Sequence, residues 1–282
     1  MHRDPGTTVQ RPGVTNLKRP TLLLTALLAV SVSPLLCAQA ADSAPAAPQA
    51  APNPAVMPDA QAVLNRMTAS LGALQTFSIT SDSTRDEVMA LGYKLQNNEH
   101  AVLTVRRPDK LRVDLSGDMR DRTFVYDGAR LAMYSPDDAA FTRIEAPGTL
   151  KELIGGMLDA GIEMPLIDVL YQAVDGTLTD AVESGILVGQ STINGVDCDQ
   201  LAFRQASIDW QLWVQRGASA LPRKLLITTR YEVGAPQFQS LLTWNLDPAI
   251  DKATFVFSPP SDAREISFSD PAAFQASAGK GE

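Results

Sequence analysis

The sequence is poor in the residues that carry metal and covalent chemistry. Its 282 residues include two histidines and two cysteines. A zinc site built from the usual Cys and His ligands is therefore not expected, and with Cys37 inside the leader of residues 1–40 only Cys198 would remain, which excludes an internal disulfide. There is no G-x-S-x-G elbow, P-loop or G-x-G-x-x-G. A Ser–His–Asp hydrolase would have to use His100, which stands among Asn97, Asn98 and Glu99 in a polar strand. The acid pairs Asp137–Asp138 and Asp197/Asp199 sit beside turns, where Asp is favoured for its backbone hydrogen bonds. They read as solvated strand faces, not as the paired acids of a glycosidase. No catalytic residue, metal or cofactor is expected. Positive charge is short as well: 24 Lys and Arg stand against 32 Asp and Glu. Such a chain has no electrostatic footprint for nucleic acid.

Long apolar runs are confined to the first forty residues. Arg11, Lys18 and Arg19 precede an apolar core at Thr21–Leu36, and Ala38-Gln39-Ala40 is a small-x-small cleavage site. Residues 1–40 thus read as a cleavable signal peptide, leaving no stable membrane span after processing. Cys37 follows Leu36, which is not small, so no lipid anchor is expected there. Cleavage removes four of the 24 basic residues and one of the 32 acids, which leaves 20 against 31 and a net charge of −11. The remaining thiol, Cys198, is expected in the core. Residues 41–58 are an Ala/Pro-rich tract too poor in large apolar groups to fold, and residues 269–282 read as a loose tail. Between them, residues 59–268 are enough for one domain.

Within that domain the periodicity changes three times. Val63, Leu64, Met67, Leu71 and Leu74 recur at helical spacing after Pro58-Asp59, with Asp59 expected as the cap. Alternation of period two follows, beginning at Phe77 and Ile79, with turns at Gly92, Pro108-Asp109 and Asp127-Gly128. Two amphipathic helices then interrupt, over Thr149–Leu158 and Pro165–Tyr171. Strands resume at Gly185, turn at Asn194-Gly195, and continue as a meander through Trp210–Leu246. There Trp210, Leu212 and Val214 share one face, and Gln211, Trp213 and Gln215 the other. Thr254–Phe257 closes the domain, and Ala263–Phe268 reads as a last edge segment. The elements read as α+β: an antiparallel sheet, curled or twisted, with the two helices as a natural lid over its concave face.

Two sets of stretches carry a resemblance. Val105-Arg-Arg-Pro-Asp-Lys-Leu-Arg-Val-Asp114 followed by Phe124-Val-Tyr-Asp-Gly128 resembles the R-P-x-x-x-R … Y-D-G signature of exported proteins with the lipoprotein-carrier fold of LolA and LolB. Asp209–Gly217, Leu221–Lys224 and Leu242–Leu246 are similar to a bacterial family of predicted periplasmic proteins with a domain of unknown function. The resemblance implies an incomplete, strongly curved antiparallel β-barrel with helices covering its concave face, a location in the periplasm of a Gram-negative bacterium, and an apolar cavity suited to acyl chains. The function expected is a soluble carrier or sensor of a hydrophobic ligand, a lipid or lipidated protein, without catalysis. The alternative is an envelope protein-interaction module or stress-sensor subunit with an outward apolar patch, probed at Trp213. Lining residues expected for the cavity are Leu111, Val113, Phe124, Tyr126, Leu131, Met133, Met157, Trp210, Leu212, Leu225, Ile227, Leu242 and Trp244. Arg106, Arg107 and Arg112 are candidates for holding a headgroup or governing closure.

Overall fold

The computed structural model describes residues 53–146, 148–159 and 165–267. The predicted leader, most of the Ala/Pro tract and the whole predicted tail lie outside them. Helix α1 spans Pro58–Ala73. Met57, not Asp59, is its N-cap and offers no side-chain bond. Pro58 takes the first helical position, where its missing N–H costs nothing. Asp59 falls in the first turn, where its negative charge suits the helix dipole.

Twelve strands form one sheet: β1 Thr76–Val88, β2 Lys94–Arg106, β3 Lys110–Gly117, β4 Arg122–Tyr126, β5 Arg130–Ser135, β6 Ala140–Glu145, β7 Ser184–Ile193, β8 Val196–Arg204, β9 Ile208–Gln215, β10 Pro222–Thr229, β11 Gln237–Asn245 and β12 Arg264–Glu265. Their spatial order is β12-β6-β5-β4-β3-β2-β1-β11-β10-β9-β8-β7. The chain thus builds one half outward from β1 to β6, then returns to lay β7 to β11 inward until β11 pairs with β1. Every pairing is antiparallel except β12 on β6. The sheet is curved and unclosed. Its two edges are covered, by β12 and by a bridge from Val56 to Gly185, which blunts their tendency to recruit another strand. The Asn194-Gly195 turn has both residues at positive φ, 49° and 78°, as a tight hairpin requires.

Helices α2 (Leu150–Asp159) and α3 (Pro165–Asp175) lie between β6 and β7 in sequence. Two apolar clusters sit on the face of the sheet that the helices cover. One joins α1 to β8–β10 through Met67, Leu201, Leu212 and Leu225. The other joins β1–β5 to α2 and α3 through Ile79, Leu103, Leu131, Leu153 and Ile167. Leu74 and Trp244 touch both, and the Trp244 ring lies 5.6 Å from that of Phe77. The outer face is not bare. Thr254–Phe257 makes no strand; it crosses the back of the sheet. Phe255 lies under the Arg106 guanidinium, and Phe257 packs on Tyr134 and Phe141. Trp213 is also covered: it is buried, with the Lys224 ammonium 4.7 Å from its ring centroid. An outward patch centred on Trp213 is therefore not formed, because the cross-strand lysine lies over the indole.

Candidate functional site

A cavity of about 720 Å³ lies between the first three strands and the two inserted helices. Its sheet wall is a ladder. Arg107 N–H donates to the Gln75 carbonyl, Val105 pairs with Phe77, and Leu103 with Ile79. Because residues two apart share a strand face, these six stand in one row, polar at the strand ends and apolar further in. Leu111 of β3 adjoins the row. Leu150 and Ile154 of α2 and Ile167 and Tyr171 of α3 face it. Thr149 caps α2, and its side chain and Glu152 exchange hydrogen bonds. At the rim the Lys151 ammonium is taken by Asp175.

The three candidate arginines go to different places. Arg106 points to the outer face, over Phe255. Arg112 points there too, gripping Asp114 through two N–H bonds of 2.6 and 2.8 Å. Arg107 alone of the three is on the cavity wall, half-buried, with one N–H donated to the Gly72 carbonyl at 3.2 Å. Burial holds its guanidinium below its ordinary pKa; a guanidinium this basic stays charged regardless.

Of the expected lining residues, Leu111 is on the wall. Val113, Tyr126, Leu131, Met133, Met157 and Leu242 pack in the cluster that surrounds the cavity, with Phe124 and Trp244 at its margin. Trp210, Leu212 and Leu225, with Ile227 beside them, belong instead to the cluster beneath α1. The wall also takes in Gln75, Phe77, Ile79, Leu103 and Val105 of the sheet and Leu150, Ile154, Ile167 and Tyr171 of the helices, none of them among the lining residues expected from the sequence. The alternation of β1 and β2 was the available signal, since it puts Phe77, Ile79, Leu103 and Val105 on one face.

Other polar groups are mostly spoken for. Asp82 Oδ1 lies 2.7 Å from His100 Nδ1, and Ser116 is the next cross-strand partner of His100. The row is exposed on the outer face, and no hydrogen bond joins Ser116 to the imidazole. Asp199 is buried, a departure from the solvated face expected of it. Its oxygens face Arg66 at 2.9 Å and Arg216 at 3.3 Å. Asp137 and Asp138 lie 3.6 and 3.8 Å from the buried Arg122 guanidinium. Cys198 is fully buried, and burial raises its thiol pKa. Among the described residues no cluster of His, Cys, Asp and Glu could hold a metal, and no helix is long and apolar enough to cross a membrane.

Residues 60–269 match the family described as "Predicted periplasmic protein (DUF2092)". The chain belongs to that family. No curated protein matches this DUF2092 chain. Solved structures similar to it include LprF from Mycobacterium bovis, at 12% identity and a TM-score of 0.44, covering 74% of this chain and 99% of that one. The lipoprotein LppX of Mycobacterium tuberculosis gives 11% and 0.40, covering 69% and 99%. A LolA superfamily protein from Nitrosomonas europaea gives 11% and 0.34, covering 70% and 97%.

Proposed function

We propose that this DUF2092 protein is a soluble periplasmic carrier or sensor that holds a hydrophobic ligand, a lipid or the acyl chain of a lipidated protein, in the cavity under α2 and α3. The observation that carries the reading is the cavity itself. About 720 Å³ walled by Phe77, Ile79, Leu103, Val105, Leu111 and Ile154 lies within the range of small-molecule sites, ~300–1,000 Å³. Burying an alkyl tail there gains about 25 cal/mol per Å² without any charge. The reading has no catalytic step. The protein would be purified without detergent and examined by native mass spectrometry, then titrated with a fluorescent fatty acid. Co-purified lipid or saturable uptake is expected. Neither appearing would refute the carrier.

A second reading, an envelope protein-interaction module, has its own observation. The β1–β2 and β10–β11 hairpin tips stand side by side, Gln237 N–H donating to Asp86 at 3.1 Å. They present Leu91 at 87% exposure and Val233 at 81%, with Tyr93 and Tyr231 beside them. A photo-crosslinker at Leu91 that captures one discrete envelope protein in intact cells, and loses it in a Val233→Ser variant, would favour that role.

A further inference from the structure

Two cations border the cavity, and they differ in one respect. Lys151 is neutralised by Asp175. Among the described residues Arg107 has no carboxylate partner, and the one hydrogen bond of its guanidinium is to the Gly72 carbonyl. Four of its five guanidinium N–H donors have no acceptor among the described residues. An arginine used only for structure at a half-buried position is commonly matched by a carboxylate, as Arg112 is by Asp114. A guanidinium presents its donors as a planar fork that fits a carboxylate or phosphate two bonds at a time.

Its position gives the fork a direction. Arg107 and Gln75 form the rim step of the ladder, followed inward by Val105/Phe77 and Leu103/Ile79. From residue 75 to residue 79 the strand advances about 13 Å. Beyond Ile79 the face turns polar and is already satisfied: Ser81 bonds Ser83 at 2.9 Å and Ser240 at 2.7 Å, all three buried. Along β1 the wall thus runs from a cation through an apolar length to buried serines that satisfy one another.

We infer that the ligand is an amphiphile with an anionic head, bound by Arg107 at the rim, its tail running inward along β1 and β2. This rests on the carrier reading above and narrows it, excluding neutral lipids as the preferred cargo. The chemistry is shared by fatty acids, with a carboxylate, and lysophospholipids, with a phosphate.

The test uses the whole mature protein, with dansyl-undecanoic acid and its methyl ester as probes and palmitate and lysophosphatidic acid as competitors. The acid should bind about tenfold or more tighter than the ester, the worth of one charge-assisted pair. Arg107→Gln should bring acid and ester level by weakening the acid alone, and Arg107→Lys should keep part of the preference. Whichever competitor displaces the probe better identifies the head as carboxylate or phosphate. Equal binding of acid and ester by the unaltered protein overturns the inference and leaves the carrier standing. Binding of neither overturns both. If Arg107 served only to hold the end of α1, Arg107→Gln would lower the melting temperature and leave the acid-to-ester ratio as it was. Should Arg107→Gln fail to fold, the ratio in the unaltered protein and in Arg107→Lys decides.

Discussion

Thr149 and Glu152 close the N-terminus of α2 on each other. Glu152 N–H donates to Thr149 Oγ1 at 3.2 Å, while Thr149 N–H and its hydroxyl donate to Glu152 Oε2 at 3.1 and 2.7 Å. This capping box satisfies backbone donors that the first helical turn leaves open. It also sits on the cavity wall, so the helix start and the mouth are one structure. Thr149→Ala should weaken α2 by about 1 kcal/mol. Hydrogen exchange should quicken in α2, with β1 and β2 unchanged. Ligand release should quicken with it, and unchanged release would show that α2 does not gate the cavity.

The glycines of this protein should respond in opposite directions. A Cβ on Gly156 meets nothing within 4 Å, and the residue is inside α2, so Gly156→Ala should stabilise by roughly 0.5–1 kcal/mol. A Cβ on Gly185 would come within 2.7 Å of the Phe203 ring. That ring is stacked on Trp210 with centroids 4.0 Å apart and has little room to retreat. Gly185→Ala should cost about 1–3 kcal/mol. Paired urea titrations of the two variants check both signs.

Tyr126 is fully buried and its hydroxyl has no hydrogen-bond partner among the described residues. Burial, with Asp109 and Glu152 nearby, raises its pKa, so the phenol stays neutral at all ordinary pH. An unpaired buried hydroxyl carries a desolvation cost with nothing returned. Tyr126→Phe should leave the melting temperature unchanged or raise it; a clear drop would reveal a partner for the hydroxyl.

Filling the cavity separates guest space from structural core. Ile154 is partly buried on the helix wall. Ile154→Trp should lower fatty-acid uptake sharply while costing no more than about 1–3 kcal/mol. Leu131→Ala, in the packed part of the same cluster, should cost ~2–5 kcal/mol. If Ile154→Trp kept full uptake, the ligand would lie elsewhere.

Acid should unfold the protein partly through Asp209. Arg204 donates to both its oxygens, at 2.8 and 2.7 Å, and that hydrogen-bonded pairing holds the carboxyl below its ordinary pKa. The folded value is depressed, so the stabilisation is whole above the unfolded value near 3.9. It is lost as pH falls through the folded one. Asp209→Asn should flatten the fall in stability between about pH 5 and 2, read from urea midpoints against pH.

Much of this was legible in the chain. The alternation Phe77-x-Ile79, the Asp127-Gly128 and Asn194-Gly195 turns, and the stripe from Val63 to Leu71 each state a local geometry that neighbours within a few residues enforce. The strands, the hairpins and the interrupting helices followed from them. So did the burial of Cys198 and the split of Trp210 from Trp213 onto opposite faces.

What periodicity could not say is which apolar face meets another face and which meets space. Leu103 and Leu212 look alike in sequence, yet one lines the cavity and the other is sealed beneath α1. Arg106 and Arg107 are adjacent, yet only one is on the cavity wall, because successive side chains leave opposite sides of an extended chain. Trp213 is covered by Lys224 of the neighbouring strand, and Asp199 is held in part by Arg66 of α1, a partner distant along the chain. Local sequence specifies each element, since turns and alternation are short-range constraints. The return of β11 to β1, and with it the position of the cavity, belongs to the tertiary structure, where contacts between residues more than a hundred positions apart are made.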